Sequence, residues 1–173
     1  MNTSLIEHSP ASPPTLAAPI SHDFDFWFGS WKIDNRRLVA RLQDCHEWEE
    51  FEATSLAWPI LGGLGNMDEF LAPTWKPGYI GMTLRLFNPA TRQWSITWMD
   101  STTGTLEPPV VGTFRNGVGT FYGKDRLRGE SIDVRFIWSE ITTNRARWEQ
   151  AFSPDGRRTW ETNWIMQMRR TGT

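Results

Sequence analysis

At 173 residues, with 39% hydrophobic and 22% charged side chains, the chain has the length and balance of a single globular domain. A formal net charge of -2 and a pI near 5.9 give no overall attraction to phosphate backbones or anionic lipid, which argues against nucleic-acid and membrane partners. Eleven Trp and ten Phe against two Tyr make large apolar rings the main core material. The lone Cys45 excludes an intrachain disulfide and sets a cytoplasmic expectation.

Residues 1–22 hold Pro10, Pro13, Pro14 and Pro19 and no Lys or Arg, so they read as an extended tail rather than a signal peptide or membrane helix. Residues 23–173 then form the folded domain. After a short turn or helix near Asp23, Gly29 to Leu42 and Glu47 to Trp58 are expected to pair as a ribbon, with Arg36 near Glu52. Leu61 to Asn66 carries three glycines and reads as a flexible loop able to serve as a lid. It lacks the Lys-Ser/Thr and the following helix of a phosphate cradle. A short strand is expected at Met67 to Leu71.

Tyr79 to Phe87 and Gln93 to Asp100 alternate on both sides of Asn88 to Arg92, which predicts a hairpin with Leu86 opposite Trp94, Leu84 opposite Ile96 and Met82 opposite Trp98. In that register all the large apolar groups face inward, and Thr83, Arg85, Ser95 and Thr97 face outward. Asn116-Gly117 predicts a type I′ hairpin between Val110 to Arg115 and Val118 to Asp125. Ser131 to Trp138, Arg145 to Phe152 and Arg158 to Met168 complete nine or ten strands with no long helical pattern. Closing such an antiparallel meander on itself removes both exposed edges, so the expected fold is all-β, a single closed barrel of nine or ten strands.

The segment Asp23-Phe24-Asp25-Phe26-Trp27-Phe28-Gly29-Ser30-Trp31 resembles the short turn and Gly-x-Trp start of the calycin (lipocalin-like) superfamily, and is similar in particular to a bacterial family with an aromatic Asp-Phe-Asp-Phe-Trp opening, from which no activity transfers. The resemblance implies a barrel whose first-strand Trp31 plugs the closed end beneath an Arg of a late strand, Arg169 or Arg170. The single Cys45 leaves no partner for the disulfide of secreted lipocalins, and no signal peptide of theirs is expected in the proline-rich tail.

A haem would need an axial His, and His8, His22 and His46 fall in the tail, at its end, or beside a hairpin turn; adjacent Cys45 and His46 point to opposite faces. No cofactor and no metal are expected. The reading favoured is a barrel that binds one small, mostly apolar, aromatic or polycyclic molecule, with Trp58, Met82, Trp98, Phe136, Trp138, Gln150, Thr162 and Trp164 as ligand contacts. Gln150 and Thr162 either orient that ligand or bond one another across a filled core. The alternative is a cofactor-free cyclase, isomerase or hydratase in which Glu50, Glu52 or Asp100 moves a proton. For Glu50 and Glu52 the reading as surface charge is favoured, and for Asp100 the reading as a turn residue. A homodimer is a further arrangement that the chain allows.

Overall fold

A computed structural model describes residues 20–172, so the expected tail up to Pro19 lies outside the described residues. A 3₁₀ turn, Asp25–Trp27, leads into ten antiparallel strands: β1 (Gly29–Leu38), β2 (Trp48–Ile60), β3 (Gly65–Leu71), β4 (Ile80–Asn88), β5 (Gln93–Asp100), β6 (Val110–Arg115), β7 (Val118–Leu127), β8 (Glu130–Ser139), β9 (Arg145–Ser153) and β10 (Glu161–Gly172). Each strand pairs with the next, and β10 pairs with β1, so the meander closes into a barrel. Closure leaves no strand edge open, which is the physical reason for expecting it. Among the described residues no helix is long and apolar enough to cross a membrane.

Local chemistry sets the registers. Asn116 and Gly117 take φ of 52° and 77°, the left-handed values a type I′ turn needs, and Arg115 pairs with Val118 across it. The β1/β2 ribbon is centred one residue earlier than expected, so Arg36 faces Glu50, at 3.1 Å, while Glu52 binds Lys32 at 2.6 Å. The glycine-rich run forms a second 3₁₀ turn, Leu61–Gly63, and the first two residues of β3; it is a tight connection at the closed end of the barrel and not a lid.

The β4/β5 hairpin corrects the expected parity. Its loop is closed by an Asn88 to Gln93 pair, with Asn88 Oδ1 accepting from Ala90 N–H at 2.9 Å and Arg92 at a φ of 56°. The pairing is therefore Phe87 with Trp94, Arg85 with Ile96 and Thr83 with Trp98. Shifting the centre of a hairpin by half a residue inverts one strand relative to the other. Arg85 and Thr83 consequently point inward with Trp94, Ile96 and Trp98, while Met82, Leu84 and Leu86 point to the outer wall. Gly81 makes the inward packing possible, since a Cβ there would lie 2.2 Å from the Trp98 ring.

The core sits toward the end where β1 begins. Phe24, on the 3₁₀ turn, meets Trp94 and Phe114 edge-on at 4.9 Å each and Trp138 at 5.7 Å. Trp31 is 1% exposed; its indole stacks on Trp27 at 4.9 Å, donates to the Trp27 carbonyl at 2.8 Å, and lies under the Arg170 guanidinium at 4.4 Å. Arg170 also donates to the carbonyls of Phe26 and Phe28, tying the 3₁₀ turn to β10. Arg169 faces the other way and pairs with Asp34 at 2.7 Å.

Candidate ligand cavity and its mouth

Above this plug the barrel encloses a cavity of about 300 Å³, at the lower end of the range of about 300–1,000 Å³ found for small-molecule sites. Six of the eleven indoles line it: Trp27, Trp75, Trp98, Trp138, Trp148 and Trp164. Trp31 and Trp94 lie buried in the plug, while Trp48, Trp58 and Trp160 stand on the outer wall. Trp160 there is covered by Arg135 at 4.5 Å and Trp48 by Arg36 at 5.2 Å.

The floor is polar and its two charges are paired at its centre, while Arg85 Nε and Asn66 Nδ2 find no hydrogen-bond partner among the described residues. Asp68, from β3, accepts from Arg85 of β4, from Ser55 Oγ at 3.0 Å and from Trp27 Nε1 at 3.2 Å. Arg85 also donates to Asn66 Oδ1 at 3.1 Å and is ringed by Phe24, Trp27 and Trp138 at 5.3 to 5.8 Å. An ion pair held among aromatic rings costs desolvation, which these hydrogen bonds and cation–π contacts offset.

The mouth lies at the opposite end. Between β3 and β4 the chain turns back over the opening: Trp75 stacks on Phe51 at 4.5 Å with an interplanar angle of 5°, and donates to Glu49 Oε2 at 3.0 Å. Arg37 bonds the other oxygen of Glu49 at 3.0 Å and lies between Trp75 and Trp164, at 5.2 and 5.1 Å. Lys76 covers Trp75 at 4.3 Å. Arg41 lines the same side; burial and the neighbouring Arg37 and Arg128 lower its pKa.

Three carboxylates, Asp100, Glu107 and Asp125, line the facing side, and among the described residues none makes an ion pair within 4 Å. Partial burial in the mouth and the adjacent Asp125 and Asp100 charges push Glu107 up to about 7. Asp100 moves the other way: some burial opposes ionisation, but hydrogen bonds from the Thr102 hydroxyl and the Thr102 and Thr103 N–H groups hold its carboxyl below the ordinary range. Tyr79 donates to Asp100 at 3.4 Å, and burial together with that carboxylate raises the phenol.

Of the expected ligand contacts, Trp98, Phe136, Trp138, Gln150 and Trp164 line the cavity. Trp58 and Met82 face the outer wall, Trp58 because β2 turns Phe51, Ala53, Ser55 and Ala57 inward, and Met82 through the hairpin parity. Thr162 is turned outward by a bulge at Asn163 in β10, so Gln150 donates to Asn163 Oδ1 at 2.8 Å instead. Glu50 and Glu52 are exposed and paired across the outer face, which leaves Asp100 as the nominated carboxylate at the cavity. His22 and His46 bind Asp25 and Asp44 on the surface, and His8 lies outside the described residues.

Sequence reasoning missed Arg85, Asp68, Trp75, Tyr79, Trp148 and Glu107. Trp75 carried a usable signal, a large ring in a loop between Pro73 and Pro77-Gly78, where no strand demands one. Among the described residues no cluster of three His, Cys, Asp or Glu side chains could hold a metal ion.

No protein-family model and no curated protein sequence matches this chain. Among solved structures it is similar to the S-type phycobiliprotein lyase CPES from Guillardia theta, with 11% identity and a TM-score of 0.52 over 87% of this chain and 91% of that one. Likeness at that identity concerns the fold alone, a closed antiparallel barrel.

Proposed function

We propose that the barrel binds one small, mostly apolar, aromatic or polycyclic molecule in its Trp-lined lumen. The observation that carries this reading is the cavity itself, about 300 Å³ of space walled by six indoles and open at one end. Aromatic faces on several sides select a flat, polarisable guest, and a few polar groups, Gln150 within and Arg41 and Tyr79 at the mouth, orient it. The similar barrel named as a phycobiliprotein lyase supports a small-molecule role for this fold. The free thiol Cys45 fits a cytoplasmic setting.

Tryptophan fluorescence titrated with a panel of neutral aromatic compounds tests the reading. Saturable quenching that Trp98→Ala or Trp148→Ala weakens is the expected result; emission unchanged across the panel contradicts it.

A second reading rests on Glu107. A mouth carboxyl near neutrality, beside Asp100 and Asp125 and with no ion-pair partner within 4 Å among the described residues, is suited to moving a proton. A cofactor-free cyclase, isomerase or hydratase would use it on a guest folded by the lumen. Turnover of a bound compound, lost in Glu107→Gln with binding retained, would distinguish enzyme from carrier.

A further inference from the structure

The outer wall of β2, β3 and β4 is apolar where the wall of β1, β9 and β10 is charged. On the charged side Lys32, Asp34, Arg36, Arg147 and Glu149 all find partners. On the other side Trp58, Met67 and Leu84 sit side by side across three strands, and Leu71 stands beside Ile80. Leu56 is 53% exposed, Ile80 39% and Trp58 36%. Leu86 packs over Gly65, whose missing side chain leaves room for it, and beyond Ser95 on β5 the row reaches exposed Val111 on β6 and Tyr122 on β7, which Arg157 covers at 4.7 Å. Glu69, between Leu56 and Met82, is the single charge in these rows.

Three strands at about 4.8 Å spacing and seven residues at about 3.4 Å give a face of roughly 14 by 24 Å, or about 340 Å² in projection. That is within the range of the largest apolar patches on monomers, about 300–600 Å², which are often functional. It also suits the core of an ordinary interface, which takes about 800 Å² of accessible surface from each partner.

We infer that this wall is an isologous interface with a second copy of the chain. A twofold partner brings an apolar face of equal extent, so both copies cover all of theirs. Residues 1–19 offer only Met1, Leu5, Ile6 and Leu16 as large apolar side chains, too few to cover the wall. The charged side of the barrel excludes a girdle of the membrane-spanning kind, and the apolar rows carry no Lys or Arg to draw the wall to anionic lipid. The inference is independent of what the lumen holds.

Sedimentation equilibrium of the full chain, with a 20.0 kDa protomer, decides it. At about 50 µM the wild type is expected as a dimer, Leu84→Glu as a monomer, and Trp58→Ala with association weakened at least about tenfold, which is about 1.4 kcal/mol. Unchanged far-ultraviolet circular dichroism shows that each variant folds, and the milder Trp58→Ala keeps the test alive if Leu84→Glu does not. A wild type that stays monomeric, or a dimer indifferent to both substitutions, overturns the inference. A monomer that floats with phosphatidylcholine vesicles would assign the wall to lipid, and one that associates when Leu5, Ile6 and Leu16 become Ser would assign it to the amino-terminal segment; either result also overturns it.

Discussion

Arg85 and Asp68 are each 3% exposed and depend on one another. Removing one partner strands the other charge in a ring of aromatic side chains, so Asp68→Asn is expected to cost about 3–5 kcal/mol in urea unfolding. Asp68→Asn combined with Arg85→Met should recover part of that loss, because no unpaired charge remains. Glu107 acts through pH. Its carboxyl is raised in the folded state to about 7, so the native protein binds more protons than the unfolded chain between the ordinary carboxylate range and neutrality. The contribution of Glu107 is therefore full at acid pH and falls as pH climbs to about 7. The groups facing it are Asp125, Asp100 and Arg41. Melting temperatures across pH 5 to 8 should decline less in Glu107→Gln than in the wild type, and parallel curves would contradict the assignment.

At the scale of the element, Gly81 and Trp98 are a single device. A side chain on Gly81 would overlap the Trp98 ring, so Gly81→Ala is expected to cost about 1–3 kcal/mol. It should also push the indole into the cavity and weaken binding of an aromatic probe, measured by fluorescence titration. The same hairpin shows where sequence reading stops. Alternation identified both strands, yet apolar Leu86, Leu84 and Met82 look like lumen residues and Arg85 and Thr83 like solvent residues. The turn inverted that assignment, and a pairing of Arg85 with Asp68 from another hairpin cannot be seen in either strand alone. On β8, where Ile132, Val134 and Phe136 alternate with Asp133 and Arg135, parity was legible because the outer face carries those charges, Asp133 being covered by its partners Lys124 and Arg157. Bulges are silent in the same way: Asn163 moved Thr162 outward without any sign in its composition.

For the whole molecule, closure was readable because ten short alternating segments separated by turns leave a meander no other way to hide its edges. The mouth was not, because it is assembled from a loop and the ends of distant strands, whose residues meet only after closure. Trp75, Arg37 and Trp164 are an example, far apart in the chain and in contact at the rim. The outer wall follows the same logic in reverse, since apolar rows that read as core become an exposed face once the barrel closes around other residues.

The eleven indole N–H groups give the most direct test of the central claim, that the enclosed space and not the surface receives the guest. In a ¹H–¹⁵N correlation spectrum assigned by single substitutions, a neutral aromatic ligand should shift the resonances of Trp75, Trp98, Trp138, Trp148 and Trp164, while those of Trp48, Trp58 and Trp160 stay in place. Shifts confined to the outer three, or none at all across a panel of such ligands, would contradict the account.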